Sequence, residues 1–308
     1  MAERGTGSGG LTRELALLGV LAVLWGASYT FIRVGVTTIP PVTFIAGRTL
    51  VAGLVLLAVL RLRGVRLPRD RATWGQFLIQ AGLNSVLPFT LIAWAELRVE
   101  ASLAVILNAT TPVFTFLLTW GLTRHEAVSG RKLLGVAAGL AGTGLIVGVR
   151  ALDGLGVDLL AQLAIVAATV AYAGAAIFGT RFKHLDSMVP AAGSLLCGTV
   201  VLIPVSLAVD RPWTLAPSAD SLLALGGLAV FSTALAFVIY FRLFRTLGSV
   251  GATAQAYLRV PIGVAIGGAV LGEGLPPTAW AGLLCVVAGV AAMTLPAGAF
   301  TRRAARPA

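Results

Sequence analysis

The chain has 308 residues, of which 57% are hydrophobic and only 11% are charged, against about 25% charged residues in an average globular protein. Several apolar runs exceed the ~18 residues that can span a bilayer, so the composition excludes a soluble globular protein and predicts a polytopic α-helical membrane protein. The runs are continuous and do not alternate, which excludes a β-barrel. The net charge of +11 does not indicate nucleic-acid binding, because the basic residues lie mainly in short segments between the runs.

Ten membrane spans are predicted along the chain. They cover residues 15–36, 42–62, 72–95, 101–122, 131–149, 156–179, 188–208, 220–241, 249–271 and 277–296. The first run follows Arg13 without a small-residue cleavage site and is followed by further spans. We therefore interpret it as a retained helix and not as a signal peptide.

The distribution of Lys and Arg predicts the orientation. If the N-terminus is cytoplasmic, 17 of the 23 basic residues fall in inner segments, three fall in outer segments, and Arg33, Arg48 and Arg259 fall within spans. This asymmetry follows the positive-inside rule. It predicts a multi-pass protein of the cell (inner) membrane with both termini cytoplasmic.

The two halves of the chain repeat. Pairs at an offset of 147 or 149 residues mark the repeat: Trp25 with Tyr172, Glu126 with Glu273, Gly135 with Gly282, Gly142 with Gly289, and Pro112 with Pro261. Each half holds five spans, and an odd number forces the second half to enter the membrane in the opposite sense. The predicted units are a first repeat at 15–149, a second repeat at 156–296, and a cytoplasmic tail at 297–308.

Several segments resemble a known family. WGASYTFIRVG, PPVTFIAGRTLVAGLVL, LPFTLIAWAELRVEASLAVILNATTPVF and the LGE of the second half resemble EamA-type transporters of the drug/metabolite transporter superfamily, over about 15–149 and 157–295. The resemblance implies a ten-helix metabolite carrier of the cell membrane, often an exporter of amino acids or related small molecules. Its motifs do not name a substrate. One departure is His125, because a glycine usually precedes the glutamate found here as Glu126.

Arg259 is the main candidate for contact with a substrate. It lies in the middle of an apolar span, where an ionisable residue is costly and marks a functional hypothesis. Gln255 is four residues earlier and shares its helix face. A guanidinium suits a carboxylate or phosphate. The alternative is that Arg259 pairs internally with backbone carbonyls or a buried acid, and the sequence leaves both open.

Other polar and aromatic side chains follow helical stripes. Polar groups cannot face lipid unsatisfied, so Asn84 in the third span and Asn108 and Thr111 in the fourth must face protein or water. Trp25 and Tyr29 lie one turn apart on the first span, either as a packing stripe or as a cavity wall. The residues predicted to bind substrate are Trp25, Tyr29, Asn84, Asn108, Thr111, Tyr172, Tyr240, Gln255 and Arg259.

A second set is predicted to be structural or to act in gating. Arg48 is assigned to a helix contact, because the family resemblance places an arginine here whatever the substrate. Pro112 and Pro261 each remove a backbone donor, so each either kinks a helix or frees a carbonyl for substrate. Glu126 and Glu273 lie at span ends on opposite sides of the membrane and are predicted to make structural or gating contacts.

No enzyme motif is present, and neither a cofactor nor a metal site is predicted. Cys197 and Cys285 fall within spans and indicate neither a disulfide framework nor a metal site. The predicted function is a secondary transporter that moves a small metabolite, an amino acid or organic anion, by alternating access, with export favoured. The alternative is a membrane enzyme or lipid-handling scaffold without transport. The predicted partners are the small-molecule metabolite and the lipid bilayer, and the sequence leaves open whether the chain is a monomer or a homodimer.

Overall fold

In the computed structural model of the chain, the residues described are 8–99, 104, 107–123, 130–147, 158–262 and 277–295. All the regular structure in these segments is helical, and no strand occurs in them. The α-helices are α1 Ser8–Gly26, α2 Ser28–Gly35, α3 Pro41–Leu62, α4 Arg71–Ala81, α5 Leu87–Ala95, α6 Thr111–Leu118, α7 Gly130–Val147, α8 Leu159–Gly179, α9 Met188–Val209, α10 Ala219–Ala229, α11 Ala236–Thr246, α12 Gly248–Thr253 and α13 Pro277–Thr294. Residues 255–262 are also helical. Short 3₁₀ turns occupy Thr180–Phe182 and Pro212–Thr214, and π-helical turns occupy Gly82–Val86, Thr119–Thr123 and Val230–Leu235.

Six continuous helical stretches are long and apolar enough to cross a membrane. They are Gly10–Gly35, Pro41–Leu62, Arg71–Ala95, Leu159–Phe182, Met188–Val209 and Ala219–Thr246. Each coincides within a few residues with a predicted span, so the prediction of an all-α, multi-pass membrane protein is confirmed. In the other four predicted spans the structure describes shorter or partial helices, and the count of ten stays a prediction.

The ends of α3 follow local sequence signals. Pro41 occupies the first turn, where its missing N–H breaks no helical hydrogen bond. Gly64 has a φ of 68°, and the Val65 N–H donates to the Leu60 carbonyl at 2.9 Å. This is the left-handed glycine termination of a helix. The proline and the glycine therefore set the length of this span.

The third and eighth spans are each interrupted by a π-helical turn. The turns begin at Gly82 and Val230, which are 148 residues apart, close to the offset of the sequence repeat. π-helical turns are rare and often occur at functional sites. Their matched positions fit a two-repeat architecture.

Two glycine-rich helices pack at close range. A Cβ added at Gly142 of α7 would lie 2.6 Å from the Gly282 carbonyl oxygen of α13, and one added at Gly289 would lie 2.6 Å from the Gly135 carbonyl oxygen. The later glycine of α7 meets the earlier glycine of α13, so the helices run antiparallel. These are the glycine pairs that mark the repeat, and small residues of this kind permit close helix approach in membranes.

Contacts between the halves also join the remaining spans. α1 and α2 pack against α11 and α10, α3 packs against α9, and α5 packs against α8. At one end, Arg242 of α11 forms an ion pair with the buried Glu14 of α1, with 2.6 Å between Nη2 and Oε1. Elsewhere Thr43 of α3 donates to the Asp210 carboxylate through both its N–H and its hydroxyl. The polar cavity described below lies between the spans that these contacts hold together.

Candidate functional site

A cavity lies at the meeting point of the first, second, third, fourth, sixth, eighth and ninth predicted spans. All nine residues predicted to bind substrate line it: Trp25, Tyr29, Asn84, Asn108, Thr111, Tyr172, Tyr240, Gln255 and Arg259. The lining also includes Ser28, Ile32, Arg48, Phe89, Ile92, Phe237 and Thr253. The centre of a water molecule can move through about 40 Å³ of this space, which is room for only a few waters. The residues converge, and the cavity in this conformation is small.

Arg259 faces the cavity from helical residues 255–262. It is 9% exposed, its Nε donates to Gln255 Oε1 at 2.6 Å, and its guanidinium carbon lies 5.0 Å from the centre of the Trp25 ring. The bond to Gln255 confirms that the two side chains share a helix face. Both partners are neutral, so the positive charge of Arg259 is oriented by them and not cancelled.

Arg48 brings a second guanidinium to the same cavity. It is 3% exposed, its Nε donates to Thr233 Oγ1 at 2.7 Å, and its guanidinium carbon lies 3.6 Å from the centre of the Phe89 ring. Thr233 belongs to the second π-helical turn and bonds the carbonyl of Leu228, five residues earlier. Arg48 therefore makes the helix contact expected of a structural residue and also forms part of the cavity wall.

Trp25 and Tyr240 form an aromatic corner. Their ring centres lie 4.8 Å apart at a steep angle, and Trp25 Nε1 donates to the Ser232 carbonyl at 3.0 Å. Such edge-to-face pairs are favourable beyond the area they bury. The π-helical turn offers the carbonyl that Trp25 uses, so this turn fixes the orientation of both Trp25 and Arg48.

The polar residues of the fourth span form a local network. Asn108 Nδ2 donates to the Tyr29 hydroxyl at 2.6 Å, and Thr111 Oγ1 donates to the Asn108 carbonyl at 2.7 Å. Pro112 lies in the first turn of α6, after a turn at residues 109–110. The carbonyl that Pro112 frees is that of Asn108, and it accepts from Thr111 in this conformation. The network fixes Tyr29 and Asn108 at the cavity wall.

Asn84 lies in the first π-helical turn and is 1% exposed. Its amide nitrogen has no hydrogen-bond partner among the described residues, although it lines the cavity. A buried donor without a partner is costly. This amide can therefore donate to a bound molecule or to water.

Phe89 and Phe237 are cavity residues that the sequence reasoning missed. Their ring centres lie 6.2 Å apart, and Phe237 also packs against Trp25. They are 148 residues apart, one more than the offset of 147. The second π-helical turn has six residues against five in the first, which accounts for the added residue. An alignment of the repeats at 148 would have paired them.

The remaining predicted residues are placed elsewhere. Arg33 is exposed and lines a separate depression with Glu96 and Arg98. Pro261 continues the helix that carries Arg259, and its own side chain is half-buried. The predicted gating residues Glu126 and Glu273 lie outside the described residues.

Glu96 follows the last residue of α5, beyond the span. Neither carboxyl oxygen has a hydrogen-bond partner among the described residues. Burial raises the pKa of Glu96 to about 8, against the opposing effects of Arg33 and Arg48, which lower it. Glu96 is therefore an acid close enough to Arg48 to interact with its charge without lining the cavity.

Comparison with known proteins identifies the family. The model of the EamA-like transporter family matches twice, at residues 13–148 and 159–295. The chain belongs to the EamA-like transporter family. This EamA-like chain is 31% identical over 277 residues to the uncharacterized inner membrane transporter YedA of Escherichia coli K12, covering 89% of this chain and 88% of YedA.

Other relatives and a solved structure agree with this membership. The EamA-like chain is 26% identical over 283 residues to a probable terminal-alkyne amino-acid exporter of Streptantibioticus cattleyicolor, covering 91% and 93% of the two chains. It is 26% identical over 286 residues to the uncharacterized transporter YvbV of Bacillus subtilis. A solved chain, described only as a crystal structure of protein, superposes with a TM-score of 0.76 at 17% identity and covers 92% of this chain. That likeness shows a shared fold.

Membership accounts for the cavity. An EamA-like transporter with membrane-length apolar helices is a multi-pass membrane protein that moves small solutes. In membrane transporters the binding site lies near the midplane at the interface of the repeats. The cavity is built from both matched segments, with Trp25 and Arg48 from the first and Tyr240 and Arg259 from the second.

Proposed function

We propose that the chain is a ten-span secondary transporter of the cell (inner) membrane that moves a small metabolite, an amino acid or organic anion, by alternating access. Two inverted five-span repeats rock about the cavity, both termini are cytoplasmic, and the physiological direction is export. The matched π-helical turns and the antiparallel glycine contacts of α7 with α13 support the inverted repeat. The name of the Streptantibioticus relative supports export and an amino-acid-like solute.

The charge of Arg259 carries the proposal. It is buried, lines the cavity, and is oriented by the neutral Gln255 and Trp25. Among the described residues no carboxylate lies within 4.0 Å of its guanidinium. A buried guanidinium without an anion is costly in a membrane, and a planar fork that is held in place suits a carboxylate. The substrate carboxylate is therefore the anion that completes the site.

The small volume of the cavity is consistent with alternating access. About 40 Å³ admits only a few water molecules, so a metabolite requires the spans to separate on one side. The ion pair of Glu14 with Arg242 joins α1 to α11 at the end of the bundle predicted to be cytoplasmic. Opening of that end requires this contact to break or to move as a unit.

The first experiment identifies the solute and tests the role of Arg259. Metabolites in medium and cells, with and without overexpression, give candidate solutes, and uptake into sealed proteoliposomes gives the apparent affinity. Arg259→Ala is expected to weaken the affinity for the identified anion by about 1.5–3 kcal/mol, the range of hydrogen bonds to charged groups, which is about ten- to a hundredfold.

Two variants control for indirect effects. Arg66→Ala removes the same charge from an exposed position outside the cavity and is expected to leave uptake unchanged. Arg259→Lys keeps the charge and loses the planar fork, and is expected to fall between Arg259→Ala and the unmodified protein. An unchanged affinity and rate in Arg259→Ala would exclude Arg259 from the site. Turnover of a lipid without net solute movement would exclude the transporter itself.

A further inference from the structure

The charges of the cavity wall do not balance. Arg48 and Arg259 both line it and are at most 9% exposed. None of the described lining residues is acidic. The ion pairs among the described residues join Arg98 to Asp158 and Arg242 to Glu14, so neither cavity arginine takes part in them. The described wall therefore carries two positive charges and no negative one.

The partners that the two arginines do have are neutral. Each printed bond starts from Nε, to Thr233 in one case and to Gln255 in the other, and each guanidinium lies against an aromatic ring. These contacts orient both side chains. The four N–H groups on the two terminal nitrogens of each fork have no carboxylate within 4.0 Å in the described part of the chain.

The neutral polar groups add donors. The amide nitrogen of Asn84 is buried without a partner among the described residues. The Gln255 side-chain oxygen, a strong acceptor in the wall, is already used by Arg259. An ammonium group needs acceptors or negative charge around it. This wall offers it aromatic faces beside two guanidinium groups, which repel it.

From this imbalance we propose that the transported solute is a small organic dianion, of the dicarboxylate class, whose two anionic groups are held by Arg259 and Arg48, and that it lacks an ammonium group. The dianion assignment rests on the transport function proposed above and narrows its substrate class. A monoanion would leave one buried guanidinium uncompensated, and a zwitterionic amino acid would bring a third cation into the cavity. The two groups that the solute joins come from different repeats, so binding a dianion links the repeats across the site.

Glu96 offers an alternative compensation for Arg48. It interacts with the Arg48 charge from outside the cavity, and Arg33 faces it as well. If Glu96 neutralised Arg48 in the binding state, a monoanion would suffice. The two cases differ in how strongly the transporter selects the second negative group of its solute, which can be measured directly.

The test uses three probes that share a four-carbon skeleton. Succinate has two carboxylates, succinamate replaces one with a neutral amide, and aspartate adds an ammonium to succinate. Uptake of each radiolabelled probe, and its competition against the other two, is measured with the full chain in sealed proteoliposomes. Succinate is expected to have an apparent affinity at least tenfold better than either succinamate or aspartate. Equal or better affinity for succinamate or aspartate would overturn the proposal without any variant.

Variants assign the two anionic groups. In Arg48→Gln and in Arg259→Gln, the affinity for succinate is expected to fall to that for succinamate, while the affinity for succinamate changes less than twofold. Thr233→Val removes the bond to Arg48 but keeps its charge, and is expected to retain the preference for succinate. If Arg48→Gln weakens all three probes by the same factor, Arg48 only supports the helices and the dianion proposal is wrong.

The outcomes separate this proposal from the one it rests on. If the proteoliposomes take up other metabolites but none of the dicarboxylates tested, the dianion proposal fails and the transport function stands. If a mixture of metabolites gives no uptake at all into vesicles whose protein is shown to be folded, the transport function fails.

Discussion

The contact between α7 and α13 makes a prediction whose size follows from the structure. A Cβ added at Gly142 would lie 2.6 Å from the Gly282 carbonyl oxygen and 2.8 Å from the Val286 nitrogen. Real Cβ atoms essentially never lie closer than 3.0 Å to another heavy atom, so Gly142→Ala must push the helices apart by about 0.4 Å. Both nearest atoms belong to the backbone and cannot rotate away. A gap of about 0.5 Å loses about a quarter of the dispersion energy of each contact along the interface, and overpacking of this kind costs about 1–3 kcal/mol.

The same helix contains a matched control. A Cβ at Gly144 would meet nothing within 4 Å, so Gly144→Ala restricts only the unfolded chain and is expected to be neutral or to stabilise by up to about 1 kcal/mol. The free energy of unfolding, measured by titration of detergent-solubilised protein with SDS, is therefore expected to differ by about 2 kcal/mol between the two variants. Equal stability would show that α7 and α13 do not pack through Gly142.

Two further predictions concern acidic side chains. Glu14→Gln removes the charge partner of Arg242 from a pair whose acid is buried and is expected to destabilise the protein by about 1–3 kcal/mol, whereas Asp158→Asn, from a partly exposed pair at 3.9 Å, is expected to change the free energy of unfolding by less than about 1 kcal/mol; equal effects would show that the Glu14 contact is not formed. Because burial raises the pKa of Glu96 to about 8, its carboxyl group is mostly neutral at pH 7 and negatively charged at pH 9, where it competes with an anionic solute for the charge of Arg48. Uptake of the anion is therefore expected to weaken from pH 7 to pH 9 and to lose this dependence in Glu96→Gln, and a dependence that persists in this variant would assign it to another group.

The sequence predicted the features that depend on one stretch of chain. Six spans have the predicted positions because hydrophobic runs and their breaks are local signals. The Gln255–Arg259 bond was predictable because residues four apart share a helix face. The nine candidate residues converge on one cavity because polar and aromatic groups in the middle of a span must avoid lipid and meet one another.

Contacts between distant spans were not predictable in the same way. The bond from Trp25 to the Ser232 carbonyl and that from Arg48 to Thr233 depend on a π-helical turn that no local motif announced. This turn exposes a carbonyl and a hydroxyl to the cavity because it shifts the register of the helix by part of a turn. The assignment of Arg48 to a structural role missed that such a contact can hold its guanidinium at the cavity wall.

The repeated scaffold carries different chemistry in its two halves. Alignment of Pro112 with Pro261 places Thr110 opposite Arg259. Thr110 bonds the Leu107 carbonyl of its own helix and is not among the residues that line the cavity, whereas Arg259 brings a charge into it. The π-helical turns differ likewise, because the first presents the unpartnered Asn84 amide and the second orients Trp25 and Arg48 through backbone and hydroxyl groups. A symmetric pair of repeats is sufficient for alternating access, but an asymmetric solute needs an asymmetric wall. Since the proline is shared by the two repeats and the arginine is not, a change of substrate preference is expected to follow changes at Arg259 sooner than changes at Pro261.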